Sequence, residues 1–375
     1  MALTKTAAPL PPGSCIGILG GGQLGRMLAM AAARLGLKTH IYSDVADAPA
    51  AEVAGFLSVG DYADENTLRT FMQSVQAVTY EFENVPAETV AFLTDNGAIV
   101  RPGEKALRTA QDRLGEKDFI CETGAKTAPY FAVDDLETLR DGLEKIGRPA
   151  ILKTRRFGYD GKGQTVIRAS EENLSTTYEK AIEHAWSEVG AAPSILEGFV
   201  AFEREISVIA VRSADGVIKH YPPAENVHQN GILKTSTVPA RIDASVADNA
   251  AEITKKIMDA LDYVGAIGVE FFVLPNGDLI VNEFAPRVHN SGHWTMDACA
   301  VCQFEQQIRA AAGWPLAEIE RHSNAMMENL LGDDAATWSD LAEEKNAAIH
   351  LYGKAEARPG RKMGHVNRLS PFTDS

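Results

Sequence analysis

The chain has 375 residues, 45% of them hydrophobic, and a formal net charge of −15, which suits two or three domains with substantial cores. An acidic balance without a long basic run excludes an extended nucleic-acid surface, and no stretch approaches the roughly 18 apolar residues of a membrane span. The opening MALTKTAAPLPPGS, with one Lys and three prolines, is too broken for a signal-peptide core, so a cytoplasmic protein without a membrane or nucleic-acid partner is expected.

Cys15–Leu19 reads as a buried strand running into Gly20-Gly21-Gly22-Gln23-Leu24-Gly25, after which Leu24, Met27, Leu28, Ala31 and Leu35 mark one helix face. Lys38–Tyr42 is the next strand. Gly20, Gly22 and Gly25, with Asp44 further on, match the dinucleotide fingerprint in form. The physical content is narrower: glycines let backbone approach an anion, and helix N-terminal N–H groups hold it. Strands at Phe56–Val59, Ala77–Phe82 and Ala98–Val100 predict an open parallel sheet up to about Gly103. Ligands of such sheets sit at the carboxyl ends of the strands, where Glu81 and Glu83 lie. A charge cluster at a helix N-terminus accounts for them equally well.

Glu104–Glu122 is expected as one linking helix carrying Arg113. A second α/β unit follows: strand Ala128–Val133, helix Leu136–Ile146 and strand Ala150–Lys153. Gly158, Gly161 and Gly163, with Lys153, Arg155, Arg156 and Lys162, suit a flap over phosphates. It is not a Walker A loop, because the strand Gln164–Arg168 follows where a helix is required. A hairpin tip without a ligand is the alternative. Strands Ile195–Phe199, Glu205–Arg212 and Val217–Tyr221 lead to a polar loop, Glu225–Gly231, whose His228 is either a ligand contact or a structural group. Helix Val246–Leu261 comes next.

The apolar runs Ile267–Leu274 and Leu279–Phe284 flank Pro275-Asn276-Gly277-Asp278, a strong hairpin signal. Symmetric pairing about that turn sets Leu274 opposite Leu279, Phe272 opposite Val281 and Glu270 opposite Glu283. Opposed carboxylates about 5 Å apart repel by on the order of 3 kcal/mol at an effective dielectric near 20. A divalent cation removes that repulsion, so the pair reads as a Mg²⁺ platform for nucleotide phosphates; a solvated rim with splayed carboxylates is the bland alternative. Trp294–Ala312 is expected as a helix with Cys299 and Cys302 on one face, and a single C-x-x-C makes no zinc site. Pro315–Asp340 shows little regularity, and Ala348–Tyr352 is a strand. The tail then gathers Lys354, Arg358, Arg361, Lys362 and His365, a local charge reversal that suggests an anion site.

Six stretches in this order resemble one superfamily: GGGQLGRM at 20–27, YEFENVP at 80–86, GYDGKGQ at 158–164, HQNGIL at 228–233, NEFAPRVHNSGHWT at 282–295 and RPGRKMGH at 358–365. The resemblance is to ATP-grasp enzymes, and more closely to the N5-carboxyaminoimidazole ribonucleotide synthases of purine biosynthesis. It implies an α/β ATP-grasp fold: a Rossmann-like domain over 1–103, linker and lid over 104–190, a subdomain with the metal hairpin over 191–313, and a C-terminal segment over 314–375 closing the substrate site. It also implies an ATP-dependent ligase that carboxylates 5-aminoimidazole ribonucleotide with bicarbonate through carboxyphosphate, as a homodimer using Mg²⁺ or Mn²⁺. Carried over by residue, ATP falls on Arg113, Lys153, Gly158, Tyr159, Asp160, Gly161, Lys162, Gly163, Gln164, Glu197, Gly198, Phe199, Val200, Glu205, His228, Asn282 and Glu283, and the metal on Glu270 and Glu283. The ribonucleotide falls on Gln23, Leu24, Gly25, Glu81, Lys354, Arg361 and Lys362, and the chemistry on Arg287, Lys153, Asn290, His289, Glu81 and Tyr159. Ala285 stands where many ATP-grasp enzymes have an Asn ligand, so water must replace that ligand. A formate-dependent glycinamide ribonucleotide transformylase, a nicotinamide-dependent oxidoreductase and an inactive nucleotide-sensing module are the alternatives.

Overall fold

In the computed structural model, which describes residues 8–158, 163–168 and 175–372, the first hundred residues build a four-stranded parallel sheet. Its elements are β1 (Cys15–Leu19), α1 (Gln23–Arg34), β2 (Lys38–Ser43), β3 (Phe56–Val59), α2 (Glu65–Met72), β4 (Ala77–Tyr80) and α3 (Ala87–Asp95), with strand order β3-β2-β1-β4. β1 and β4 are buried along their whole length, as continuous apolar runs in a helix-covered parallel sheet should be. The strand expected at Ala98–Val100 reduces to a single bridge between Val78 and Val100. Because β4 stops at Tyr80, Glu81 stands at its carboxyl end, beside the start of α1.

The single linking helix expected over 104–122 is two helices, α4 (Glu104–Ala110) and α5 (Arg113–Glu122). Asp112 starts the second one, its side chain accepting from the Leu114 and Gly115 N–H groups. That is ordinary N-capping, and it sets Arg113 on the first turn. A small antiparallel unit follows: β5 (Tyr130–Val133), α6 (Leu136–Ile146), β6 (Ala150–Thr154), β7 (Gln164–Ile167), α7 (Ser175–Glu188) and β8 (Ser194–Gly198), in the order β5-β8-β6-β7.

The remainder forms one large antiparallel sheet with helices. It comprises β9 (Arg204–Arg212), β10 (Ile218–His220), β11 (Ala224–Gln229), β12 (Ile232–Val238), α8 (Ala244–Ala260), β13 (Gly265–Val273), β14 (Leu279–Ala285), α9 (Thr295–Ala298), α10 (Gln303–Ala311), β15 (Ser323–Leu331), α11 (Trp338–Glu343), β16 (Ala347–Leu351) and β17 (Lys362–Pro371). The order is β14-β13-β9-β11-β12-β15-β17-β16, with β10 beside β9. The C-terminal segment therefore extends the sheet that carries the hairpin.

Three sequence expectations change here. The polar loop at 225–231 is strand β11 turning at Asn230-Gly231, whose φ values of 52° and 77° suit a two-residue hairpin turn. The irregular stretch at 315–340 contains β15, an interior strand paired with both β12 and β17. The helix expected over 294–312 breaks between α9 and α10: Cys299 bridges to Arg321 and Cys302 precedes the first turn of α10. Both cysteines are buried in core positions rather than sharing a helix face.

Two cores fix the hairpin. On one side Ile257 and Met258 of α8 pack with Val269, Phe271, Val281 and Phe284. On the other, Leu24, Met27 and Leu28 of α1 join Phe304 and Ile308 of α10 in a cluster reaching both the parallel sheet and the large one. Among the described residues no helix is long and apolar enough to cross a membrane.

Candidate active site

The hairpin fulfils the expected Glu270–Glu283 pairing by an unexpected route. Near its turn the register is Val273 to Leu279, Phe272 to Ile280 and Phe271 to Val281, one residue off the symmetric pairing expected from sequence. The shift comes from the turn: Gly277, at φ 83°, donates to the Leu274 carbonyl, and Leu274 pairs with Asp278. A bulge then adds one residue to β14, Asn282, and from there Glu270 faces Glu283 and Val269 faces Phe284. Burial shows the same step. Val281 and Phe284, three positions apart, both enter the core, while Asn282 and Glu283 between them stay on the other face.

Around the pair stand the groups expected from the motifs. Arg113 donates through Nη1 to Glu283 Oε2 at 2.9 Å and through Nη2 to the Gly158 carbonyl at 3.3 Å, so it links β14 to the segment that follows β6. Lys153 pairs with Glu197 at 2.9 Å, both nearly buried. Glu197 leads through Gly198, Phe199 and Val200 into β9, with Phe199 exposed and its N–H bonded to Pro149. His228 Nδ1 lies 2.7 Å from Glu205 Oε2. His289 Nε2 lies 3.5 Å from Glu270 Oε1, and its Nδ1 is 2.8 Å from Ser291 Oγ. Arg287 is clamped by Glu83. Asn290 and Asn329 exchange two hydrogen bonds, at 2.7 and 2.9 Å.

Glu81 takes an unexpected place. Its carboxylate accepts from the Gly22 and Gly25 N–H groups, the latter at 2.7 Å. The anion that the glycine-rich turn admits is thus the protein's own, and a Cβ at Gly22 would stand 2.6 Å from Glu81 Oε1. The Gly25 N–H, expected on a substrate phosphate, is engaged. Among the described residues the Gln23 and Leu24 N–H groups of the same turn have no protein acceptor. Lys354 donates to the Lys362 carbonyl at 2.7 Å, and Glu81 feels the Lys354 charge. Arg361 instead donates to the Glu356 carbonyl within its own turn. Tyr159, Asp160, Gly161 and Lys162 lie outside the described residues, while Gly163 and Gln164 begin the return strand opposite Lys153.

Electrostatics set the two hairpin carboxylates apart. Burial, and then the facing Glu283, push Glu270 up to about 7. Burial works the same way on Glu283, but Arg113 outweighs it and holds the group below the usual carboxylate range. Burial also opposes ionisation of Glu83 and Glu197, yet Arg287 holds the first at about 2, and Lys153 with Lys117 holds the second at about 2. Burial and the neighbouring Arg287 and Lys362 push His289 down to about 3, so it is a neutral imidazole at pH 7.

Two participants were not anticipated from sequence. Glu116 and Lys117, 3% and 2% exposed, reach β14 from α5: Lys117 Nζ donates to the Asn282 carbonyl at 2.6 Å, and Glu116 Oε1 accepts the Phe284 N–H at 2.7 Å. On a charge-rich helix such residues look like a solvated face. Only their spacing of three and four from Arg113 hints that they share its side.

Three family models match in succession: the ribonucleotide synthetase preATP-grasp domain over residues 14–111, the ATP-grasp domain over 118–304 and the phosphoribosylaminoimidazole carboxylase C-terminal domain over 325–375. The N5-carboxyaminoimidazole ribonucleotide synthase of Brucella melitensis biotype 1 is 52% identical over 364 residues, covering 97% of this chain and 98% of that protein. The chain belongs to the N5-carboxyaminoimidazole ribonucleotide synthases. Solved members of this synthase family share the architecture. The Staphylococcus aureus N5-carboxyaminoimidazole synthetase complexed with ADP matches at TM-score 0.91 and 35% identity, covering 99% of this chain and 96% of that one. The Aspergillus clavatus N5-carboxyaminoimidazole synthase in complex with ADP and 5-aminoimidazole ribonucleotide matches at 0.88 and 28%, covering 96% and 94%. The ATP-grasp fold expected from the motifs is therefore the fold observed, and as a member of this synthase family the chain is an ATP-dependent ligase.

Proposed function

We propose that the chain carboxylates 5-aminoimidazole ribonucleotide with bicarbonate, consuming ATP and releasing N5-carboxyaminoimidazole ribonucleotide, ADP and phosphate in purine biosynthesis. The observation that carries this reading is the one face shared by Glu270, Glu283, Arg113 and His289, with Arg287 and Glu81 beside it, in a chain so close to a named synthase. The two carboxylates are hard oxygen donors, and the raised pKa of Glu270, from burial and the facing Glu283, supports a cation site there. Among the described residues no third His, Cys, Asp or Glu joins them, so Glu270 and Glu283 would hold Mg²⁺, or Mn²⁺, together with nucleotide phosphates and water. When bound, the ion supplies charge neutralisation and alignment to the transferred phosphoryl group.

The chain's own residues do the remaining work. Arg113, Lys153 and the flap surround the phosphates, and Glu197 to Val200 with Glu205 hold the adenosine. A bicarbonate oxygen attacks the γ-phosphorus, ADP leaves, and carboxyphosphate forms. Arg287, oriented by Glu83, neutralises the charge growing on that group. His289, neutral, and Asn290, fixed by Asn329, hold the carboxyl without adding charge. The ribonucleotide amine, oriented by Glu81, attacks the carbonyl carbon and phosphate departs with the bicarbonate oxygen. Lys354, Lys362 and the first turn of α1 take the ribonucleotide's phosphate. A cytoplasmic homodimer, suggested by the resemblance alone, completes the proposal.

Carbon-13 bicarbonate tests it. The labelled carbamate should appear in the NMR spectrum only when ATP and 5-aminoimidazole ribonucleotide are both present. Label-free product, or turnover that needs formate in place of bicarbonate, would overturn the reading.

A further inference from the structure

β14 is the edge strand of the large sheet, and among the described residues its outer side has only the single bridge between Val281 and Thr127, where the Val281 N–H donates to the Lys126 carbonyl at 2.8 Å; the bulge at Asn282 interrupts the inner ladder as well. Unpaired main-chain groups at the margin of a buried site are costly. From Asn282 onward α5 replaces the missing strand. Residues 113, 116 and 117 share a helix face, and they meet residues 283, 284 and 282 in turn. Arg113 holds the Glu283 carboxylate, Glu116 takes the Phe284 N–H, and Lys117 takes the Asn282 carbonyl. An acid and a base at such burial carry a desolvation penalty that an apolar helix face would avoid. Both end on main chain within one residue of Glu283.

We propose that Glu116 and Lys117 are positioning residues that hold the β14 bulge, and with it the Glu283 carboxylate opposite Glu270, by gripping the main chain on either side of Glu283. The register shows what they prevent. Carried on without the bulge, the pairing of Val273 with Leu279 sets residue 282, not 283, opposite Glu270. A one-residue slip sends a side chain to the other face of its sheet, so Glu283 would turn into the core beside Val281. Lys117 Nζ also lies 3.6 Å from Glu197 Oε1, so the same grip extends to strand β8 of the small antiparallel unit.

This inference rests on reading Glu270 and Glu283 as the metal carboxylates. The test is Mn²⁺ titrated into protein saturated with ADP, the free ion counted by its EPR signal, with thermal unfolding as the check of folding. Glu283→Gln, Lys117→Met and Glu116→Ala should each weaken the ion about 10-fold or more, whereas Glu116→Gln, whose amide oxygen still accepts the Phe284 N–H, should stay within about twofold. A folded Lys117→Met that binds Mn²⁺ like wild type while Glu283→Gln does not would overturn the positioning role and leave the metal reading standing. Unchanged affinity in Glu283→Gln would remove the metal reading and this inference with it. Hydrogen exchange on the wild-type protein needs no variant. The Phe284 amide should exchange as slowly as the interior amides of β13, and exchange at the rate of an exposed edge amide would overturn the proposal.

Discussion

Glu283 answers to three neighbours at once: Arg113 on one oxygen, Glu270 across the ladder, and the cation proposed between the two carboxylates. Glu283→Gln keeps the shape and removes the charge. It should lower turnover by about 10²-fold or more, as loss of a group that stabilises transition-state charge does elsewhere; near-normal steady-state rates at ordinary Mg²⁺ would contradict the metal role. Lys354, whose charge reaches Glu81, is proposed for the other substrate. Lys354→Ala should raise the KM for the ribonucleotide far more than that for ATP, and an effect confined to ATP would move the sugar-phosphate site. Glu197 offers a pH test. Its folded-state pKa, about 2, lies below the ordinary carboxylate value because Lys153 and Lys117 outweigh burial, so its contribution to stability is complete above about pH 4.5 and is lost as pH falls toward 2. Urea unfolding at descending pH should show that loss, and Glu197→Gln should flatten it.

At the scale of elements, the first turn of α1 is tied to β4 through Glu81. Glu81→Ala would leave the Gly22 and Gly25 N–H groups without their acceptor. The expected cost is about 2 kcal/mol or more of unfolding free energy, read by urea denaturation; an unchanged midpoint would show that the contact carries no stability. The elements that sequence patterning missed share a physical cause. β11 and β15 each point a buried asparagine inward, Asn226 bonded to Ser236 and Asn329 to Asn290. Those asparagines break the apolar alternation that announces a strand. The hairpin was legible because Asn276-Gly277 and two apolar runs announce it, but its register was not. Symmetric counting paired Glu270 with Glu283 only because the three-residue turn and the bulge offset each other. Nothing local in the sequence signals a bulge that a distant helix holds. For the same reason Glu116 and Lys117 were not legible: their role exists only once α5 lies along β14.

At the scale of the whole molecule, the site gathers residues from every layer. Glu81 and Glu83 come from the parallel sheet, Arg113 from the linking helices, Lys153 and Glu197 from the small antiparallel unit, and Glu270, Glu283 and Arg287 from the large sheet. The shared core of α1 and α10 joins the two larger sheets, so the expected substrate surfaces hold a defined relation to the hairpin. The motifs name many of these positions because each is a short contiguous run in the sequence. The supporting contacts are scattered and had to be seen. This assembly is proposed to phosphorylate bicarbonate before the amine attacks. Bicarbonate labelled with oxygen-18, mixed with MgATP, the ribonucleotide and the protein and quenched early, tests it most directly by mass analysis of the phosphate released. Phosphate carrying one labelled oxygen for each product formed is expected; phosphate whose new oxygen comes only from water would rule out phosphorylation of bicarbonate.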